Sequence, residues 1–280
     1  MHELVLGTAQ WGDPYGVTNL VGRLSDQELT DIAAVALESG ITRVDTASGY
    51  GDAELRLRPW AARFSITTKV VGSGPMSVLD QLESSLRALG VSELDGCLVH
   101  DWPSLDPAQA AAACEGLEGA LRRGLVRRAG VSAYEEVDLE AALASFGSLG
   151  AVQVPVSVVD QRLATSSAVA ELMTRHVEIQ ARSVFLQGLL AARSGVGLAR
   201  HPDVTRFHDW CEGIEASPIA AALGFIRSLP WVSHVVVGVT SAQELRVLTE
   251  AWSVDLPEVP YERFASSDTA LIDPRRWAQP

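Results

Sequence analysis

Short runs of β-branched and apolar residues alternate along this chain with longer segments in which apolar residues recur every three or four positions. The runs predict strands near residues 3–7, 41–45, 64–69, 95–99, 126–131, 150–155, 177–182 and 233–237. Strands joined by helical segments pair in parallel, since each crossover returns the chain to the edge it started from. Eight such units in 280 residues predict an α/β fold, a single closed (β/α)8 barrel of the TIM type rather than an open doubly wound sheet.

Boundary residues support the alternation. Ser25 with Glu28 three residues later forms a capping-box pattern, Ile32, Val35 and Ala36 supply an apolar face, and Gly40 is a stop. Asp106 and Pro107 fit the cap and first turn of another helix that Gly124 ends. Between about 187 and 215 the periodicity is lost. Gly188, Gly195, Gly197 and Pro202 there predict a long loop over the rim of the barrel, with at most a short extra helix.

Composition narrows the setting. No Gly/Ser-rich or Pro-rich linker and no charge run divides the chain, which predicts one domain over 1–280. The start lacks the basic, apolar and small-residue succession of an export signal, and no apolar stretch approaches the ~20 residues of a membrane span, so a cytoplasmic location is expected. Cys97, Cys114 and Cys211 lack metal-ligand spacing and read as ordinary reduced residues; no metal is expected. A net charge of -13 argues against nucleic acid and leaves a small molecule as the expected ligand of a monomer or small homo-oligomer.

Of the 22 basic residues all but one are Arg, and the exception is Lys69. Arg replaces Lys on a solvated surface but not where a compact ammonium must sit against another group. Lys69 falls at a predicted strand end, where barrels of this kind place their chemistry. The strand ends in order are Gly7 and Thr8, Asp45, Lys69, His100, Ser132, Gln153, Arg182 and Ser183, and Gly238. An acid, an ammonium and an imidazole at successive ends must pair with one another, because a lone buried charge is costly. With Tyr50 they make a set suited to protonating an alkoxide as it forms by hydride addition to a carbonyl. Tyr50 is the acid, and an adjacent ammonium on Lys69 favours the phenolate it leaves. Asp45 holds that ammonium, and a neutral His100 orients the carbonyl oxygen.

The segment Gly40–Glu54, GITRVDTASGYGDAE, closely resembles the signature of the aldo-keto reductases. The likeness continues in register through LGTAQWG at 6–12, TTKV at 67–70, LVHD at 98–101, GVS at 130–132, VQVP at 152–155, DQR at 160–162 and RSVFLQGLL at 182–190, the later part being similar to bacterial members. The resemblance implies an NAD(P)H-dependent carbonyl reductase with Asp45, Tyr50, Lys69 and His100 as catalytic tetrad. It places Gly7 and Thr8 among the cofactor-binding residues, Ser132 and Gln153 on the nicotinamide amide, and Ser183, Phe185 and Gln187 in the loop that wraps the pyrophosphate. Gly238, Thr240, Ser241 and Glu244 fall at the adenosine phosphate end.

The departures from that pattern are specific. Arg182 stands where many members stack an aromatic ring on the nicotinamide, and Ala133 where an Asn usually follows the Ser. After the eighth strand Glu244 and Leu248 replace the basic residue and the Asn of NADP-preferring members, so a 2′-phosphate would need Arg193 or Arg246 to approach. NADP(H) is favoured by resemblance, with NAD(H) the alternative. Trp11 and Trp102 follow strand ends and would wall the substrate, or else pack at the rim. The patternless stretch 258–280 points to a compact polar carbonyl compound, such as a sugar, rather than a bulky apolar one. A cofactor-binding regulatory subunit and a non-redox isomerase or lyase using Lys69 remain as competing readings.

Overall fold

In the computed structural model, which describes residues 2–16, 19, 21–194, 197–256 and 259–277, eight parallel strands close into a barrel in sequence order. They are β1 (Glu3–Gly7), β2 (Arg43–Asp45), β3 (Ser65–Val70), β4 (Leu94–Val99), β5 (Val126–Ser132), β6 (Leu149–Pro155), β7 (Glu178–Arg182) and β8 (His234–Gly238). Each lies within two residues of its expected position. The barrel closes where β1 pairs with β8, with Gly7 opposite Gly238.

Most strand residues are buried, as expected of strands with the barrel interior on one side and helices on the other. The main outer helices are Asp26–Glu38, Val78–Leu89, Pro107–Arg122, Glu136–Ser145, Ser167–Thr174, Pro218–Arg227 and Ala242–Trp252; after β2 a shorter turn, Ala53–Leu57, serves. Their starts are fixed by side chains that satisfy first-turn N–H groups. Ser25 accepts from the Glu28 amide, and Asp106 accepts from Ala108 and Gln109 while the Gln109 side chain answers the Asp106 amide. Gly40 and Gly124, read as stops, take positive φ of 75° and 67°.

The segment after β7 departs from expectation. It contains a full helix, Pro202–Gly213, started by the His201 side chain and with Val204, Phe207, His208 and Cys211 buried. Those four follow helical spacing, but His and Cys do not register as apolar in a pattern count. Gly195, one of the glycines behind the loop reading, lies outside the described residues, as do 258 and 278–280 of the C-terminal stretch.

Candidate active site

A cavity of about 610 Å³ opens at the carboxyl ends of the strands. Gly7, Thr8, Asp45, Tyr50, His100, Gln153, Arg182, Ser183, Phe185, Gln187, Gly238, Thr240 and Glu244 all line it. Lys69 lies just beneath, fully buried. Ser132 is buried opposite Gln153 in the β5–β6 register, and Ser241 caps the helix Ala242–Trp252; neither lines the cavity.

Asp45 on β2 and Lys69 on β3 point into the barrel. Lys69 Nζ donates to Asp45 Oδ2 at 2.5 Å, to the Thr46 carbonyl at 3.2 Å and to the Tyr50 hydroxyl at 3.3 Å. Burial alone would drive the ammonium toward neutrality, but the Asp45 carboxylate, and then Tyr50, outweigh it and hold the Lys69 pKa above its ordinary value. Lys69 is therefore charged. The rings of Tyr50 and His100 meet edge to face, with centroids 5.8 Å apart. Burial, with the charges of Lys69 and Arg182, pushes the His100 pKa down to about 4 against a smaller opposing effect of Asp101. The imidazole is neutral at neutral pH.

Backbone contacts aim these side chains. The Ser48 amide and hydroxyl both donate to the Lys69 carbonyl at 3.0 Å, which ties the loop carrying Tyr50 to the end of β3. Gly12 lies so close beneath this loop that a Cβ there would meet the Tyr50 carbonyl oxygen at 1.8 Å. Beside His100, Asp101 accepts from the Gly72 amide at 2.6 Å and the Ser73 amide at 3.0 Å, joining the ends of β3 and β4.

Across the barrel, Gln153 Nε2 donates to Asp45 Oδ1 at 2.7 Å and to Gln180 Oε1 at 3.0 Å. Both amide hydrogens are used. The Gln153 backbone carbonyl accepts from the Ala133 amide at 2.9 Å, and its side-chain oxygen Oε1 is the group suited to the N–H of a carboxamide in the cavity. After β7, Leu186, Gln187 and Gly188 have φ of 47°, 52° and 96°, a left-handed run that folds back on itself, the Leu186 amide donating to the Ser183 carbonyl at 2.8 Å and the Gly188 amide to the Phe185 carbonyl at 2.9 Å.

The aldo/keto reductase family model matches residues 3–268. This chain belongs to that family. An aldo-keto reductase of Mycobacterium avium (strain 104) is 36% identical over 124 residues, 41% of this chain and 43% of that protein, and one of Mycolicibacterium smegmatis is 33% identical over 128 residues, 43% and 45%. The aligned stretch thus spans under half the length of these relatives. An aldo-keto reductase of Bacillus halodurans in its holo form superposes with a TM-score of 0.76 at 17% identity, covering 98% of this chain and 95% of that one. At that identity the likeness is one of fold.

Within this family member, the end of the cavity beyond β8 carries acceptors rather than cations. The Glu244 carboxylate accepts from the Thr240 amide at 2.6 Å and hydroxyl at 2.9 Å, while Ser241 accepts from the Glu244 amide at 3.1 Å. A carboxylate therefore already occupies the helix start where an anion would bind. Gln10 Oε1, against Gly238, is buried with no hydrogen-bond partner among the described residues. Neither arginine that would offset Glu244 pairs with it: Arg193 pairs with Asp209 at 2.6 Å and Glu212 at 2.7 Å, and Arg246 with Glu38 at 3.4 Å.

The expected tryptophan wall is absent. Trp11 is fully buried edge-on against Trp60, and Trp102 packs on Phe146 while its indole N–H donates to the Asp138 carbonyl at 3.0 Å. A short turn, Ala9–Gly12 after β1 and Trp102–Ser104 after β4, carries each ring away from the opening. Tyr15 and Tyr134 line the cavity instead. Tyr134 sits two residues beyond Ser132, where the strand-end rule reaches. Three of the four tyrosines in the chain thus face the cavity. Among the described residues no cluster of His, Cys, Asp or Glu is arranged to hold a metal ion, and no helix is long and apolar enough to cross a membrane.

Proposed function

We propose that this protein reduces an aldehyde or ketone to an alcohol with a nicotinamide dinucleotide, Tyr50 acting as proton donor. The observation that carries the reading is the single lysine of the chain, Lys69, held between the Asp45 carboxylate and the Tyr50 hydroxyl beneath a cavity that His100 also lines.

When bound, the reduced nicotinamide supplies the hydride. Gln153 and Ser132 would hold its carboxamide, Arg182 would lie against the ring, and the loop from Ser183 through Phe185 and Gln187 would take the pyrophosphate. Gly7, Thr8 and Gly238 would lie along the cofactor, and the missing side chain of Gly238 leaves room for Gln10, which a Cβ there would run into. Neutral His100 donates an N–H to the carbonyl oxygen and sets its direction. As negative charge develops there, Tyr50 gives up its proton, and the adjacent ammonium stabilises the phenolate left behind. Asp45 keeps that ammonium charged and in place. The polar wall of tyrosines supports a compact polar carbonyl compound, as in a sugar. Resemblance favours NADPH, but a carboxylate at the adenosine end repels a 2′-phosphate and accepts from a ribose hydroxyl, so we take NADH as the reductant. The protein is read as a cytoplasmic monomer or small homo-oligomer.

A lyase or isomerase built on Lys69 as free amine is disfavoured. All three of its N–H donors are engaged and the side chain is walled off from the cavity.

The test is Tyr50→Phe, with binding followed by dinucleotide fluorescence. Turnover should fall about 10²- to 10⁴-fold while affinity for NADH stays within about twofold. In wild type, NADH should bind more tightly than NADPH, and Glu244→Gln should narrow the gap. Wild-type turnover in Tyr50→Phe would remove Tyr50 from the mechanism.

A further inference from the structure

Tyr134 carries an arginine on each side of its ring. The guanidinium carbon of Arg182 lies 4.2 Å from the ring centroid and that of Arg275 lies 3.6 Å from it. Arg275 comes from the C-terminal segment, where the buried carboxylate of Asp273 accepts from its Nε at 2.9 Å and its Nη2 at 2.8 Å. Arg182 Nη2 donates to the Ala133 carbonyl at 3.2 Å, the position vacated by the usual Asn. A stacked ring on one side and a carbonyl at the edge fix the plane of the Arg182 guanidinium.

None of these contacts cancels its charge. Arg275 has Asp273 and Arg162 has Asp160, but no carboxylate lies within ion-pair distance of Arg182 among the described residues. Among the described residues three charged side chains line the cavity: Asp45, Glu244 and Arg182. Asp45 is paired with Lys69, and Glu244 is tied to Thr240 at the far end. At the catalytic end a half-buried guanidinium thus has no counter-charge among the described residues; its further contact is with a neutral group, Nη1 donating to the Ser183 hydroxyl at 3.4 Å. It is close enough to His100 to bear on the state of that imidazole.

Holding a lone cation immobile beside the reacting groups costs free energy unless a ligand supplies the counter-charge. We propose that Arg182, held flat by Tyr134 and Arg275, binds an anionic group carried by the carbonyl substrate, a carboxylate or a phosphate ester, and that Arg275 is its positioning residue. The inference rests on the reductase reading and narrows its polar carbonyl compound to an anionic one. A planar guanidinium presents parallel N–H donors that match either oxyanion, and a charge-assisted bond of this kind is worth about 10- to 100-fold in affinity.

The experiment compares kcat/KM for two matched pairs, succinic semialdehyde against butanal and glyceraldehyde 3-phosphate against glyceraldehyde, with NADH as reductant. In wild type the anionic member of at least one pair is favoured about 10- to 100-fold, mainly through KM, and the pair that responds tells carboxylate from phosphate. Arg182→Met brings that ratio near one. Arg275→Ala lowers it several-fold, and Arg275→Lys restores part of it, which a merely structural role for Arg275 would not do. Ratios near one in wild type, or a ratio untouched by Arg182→Met, would overturn the proposal while leaving the reductase reading intact. If no carbonyl compound is turned over, the reductase reading fails instead. Calorimetric titration with succinate and glycerol 3-phosphate against butane-1,4-diol and glycerol then decides: saturable binding lost in Arg182→Met upholds the anion site, and its absence refutes it.

Discussion

Both ends of this barrel bury carboxylates among cations, yet they are built to opposite ends. At the amino end, residues from the starts of six strands form one closed cluster. Asp95 accepts from Arg43 and Arg128, each at 2.7 Å, and Glu178 lies 3.3 Å from His234 and 3.5 Å from Arg128, with Glu3 bridging Arg43 and His234. None of these six lines the cavity. At the carboxyl end, one ammonium is shared between the carboxylate of Asp45 and the hydroxyl of Tyr50, and the hydroxyl is left facing open space. A hydrogen-bonded line through the barrel, Asp45 to Gln153 to Gln180 to Glu178, connects the two. The difference shows how similar groups serve different purposes: where the carboxylates are clasped between strand-start side chains away from the cavity the cluster fastens strand ends, and where the pairing includes a hydroxyl on the cavity wall the cluster is placed to do chemistry.

The strongest way to break this comparison is Lys69→Met. It leaves Asp45 charged, buried and without its cation, which should cost about 3–5 kcal/mol of stability, and it removes the phenolate's neighbour, which should cost about 10³-fold in turnover. Adding Asp45→Asn to Lys69→Met should restore most of the melting temperature and none of the turnover. Recovery of both, measured by thermal melts and steady-state rates, would mean that the pair is structural at this end too.

The amino end should respond to acid instead. Burial pushes the Glu178 carboxyl up, but His234, Gln180 and Arg128 together outweigh it and bring the pKa down from 4.5 to about 2. A carboxyl whose folded pKa lies below its unfolded value contributes its full stabilisation above about pH 4.5 and loses it as pH falls through about 2. The shift corresponds to something on the order of 3 kcal/mol. Melts between pH 6 and pH 2.5 should therefore show wild type losing more stability than Glu178→Gln, with equal turnover at pH 7. Parallel losses in the two proteins would show that Glu178 is not the group that titrates.

The two ends were unequally legible from the residues alone. The tetrad could be read because Asp45, Lys69 and His100 end or directly follow predicted strands, Tyr50 lies in the short loop after the first of these, and a solitary Lys in an Arg-rich chain marks its own position. The strands themselves were visible since both their faces are buried. Rim geometry was hidden: one helical turn after β1 and one after β4 swing Trp11 and Trp102 into packing, and tyrosines take the wall. Arg275 had no local signal, because it reaches Tyr134 from the other end of the chain and only the folded tail brings them together. The amino-end cluster was equally silent, being made of ordinary charged residues scattered over six strands.

A subtler perturbation sharpens the contrast without altering any charge. Gly12 lies in the turn after β1, outside the cavity, and its missing side chain lets the backbone press against the carbonyl of Tyr50. A methyl group placed 1.8 Å from that oxygen must push the loop away, and the loop is what sets the Tyr50 hydroxyl relative to Lys69 and His100. Displacements of about 1 Å in a catalytic group cost up to ~10²-fold, so Gly12→Ala should lower kcat by about 10-fold with KM little changed. Its acid stability profile should follow that of wild type, since the amino-end cluster is not touched. If the loss fell on KM, or if the acid profile moved with kcat, the ends would be coupled through the Gln153–Gln180 line rather than independent. Gln180→Leu, which interrupts that line in the middle, would then reproduce the same behaviour.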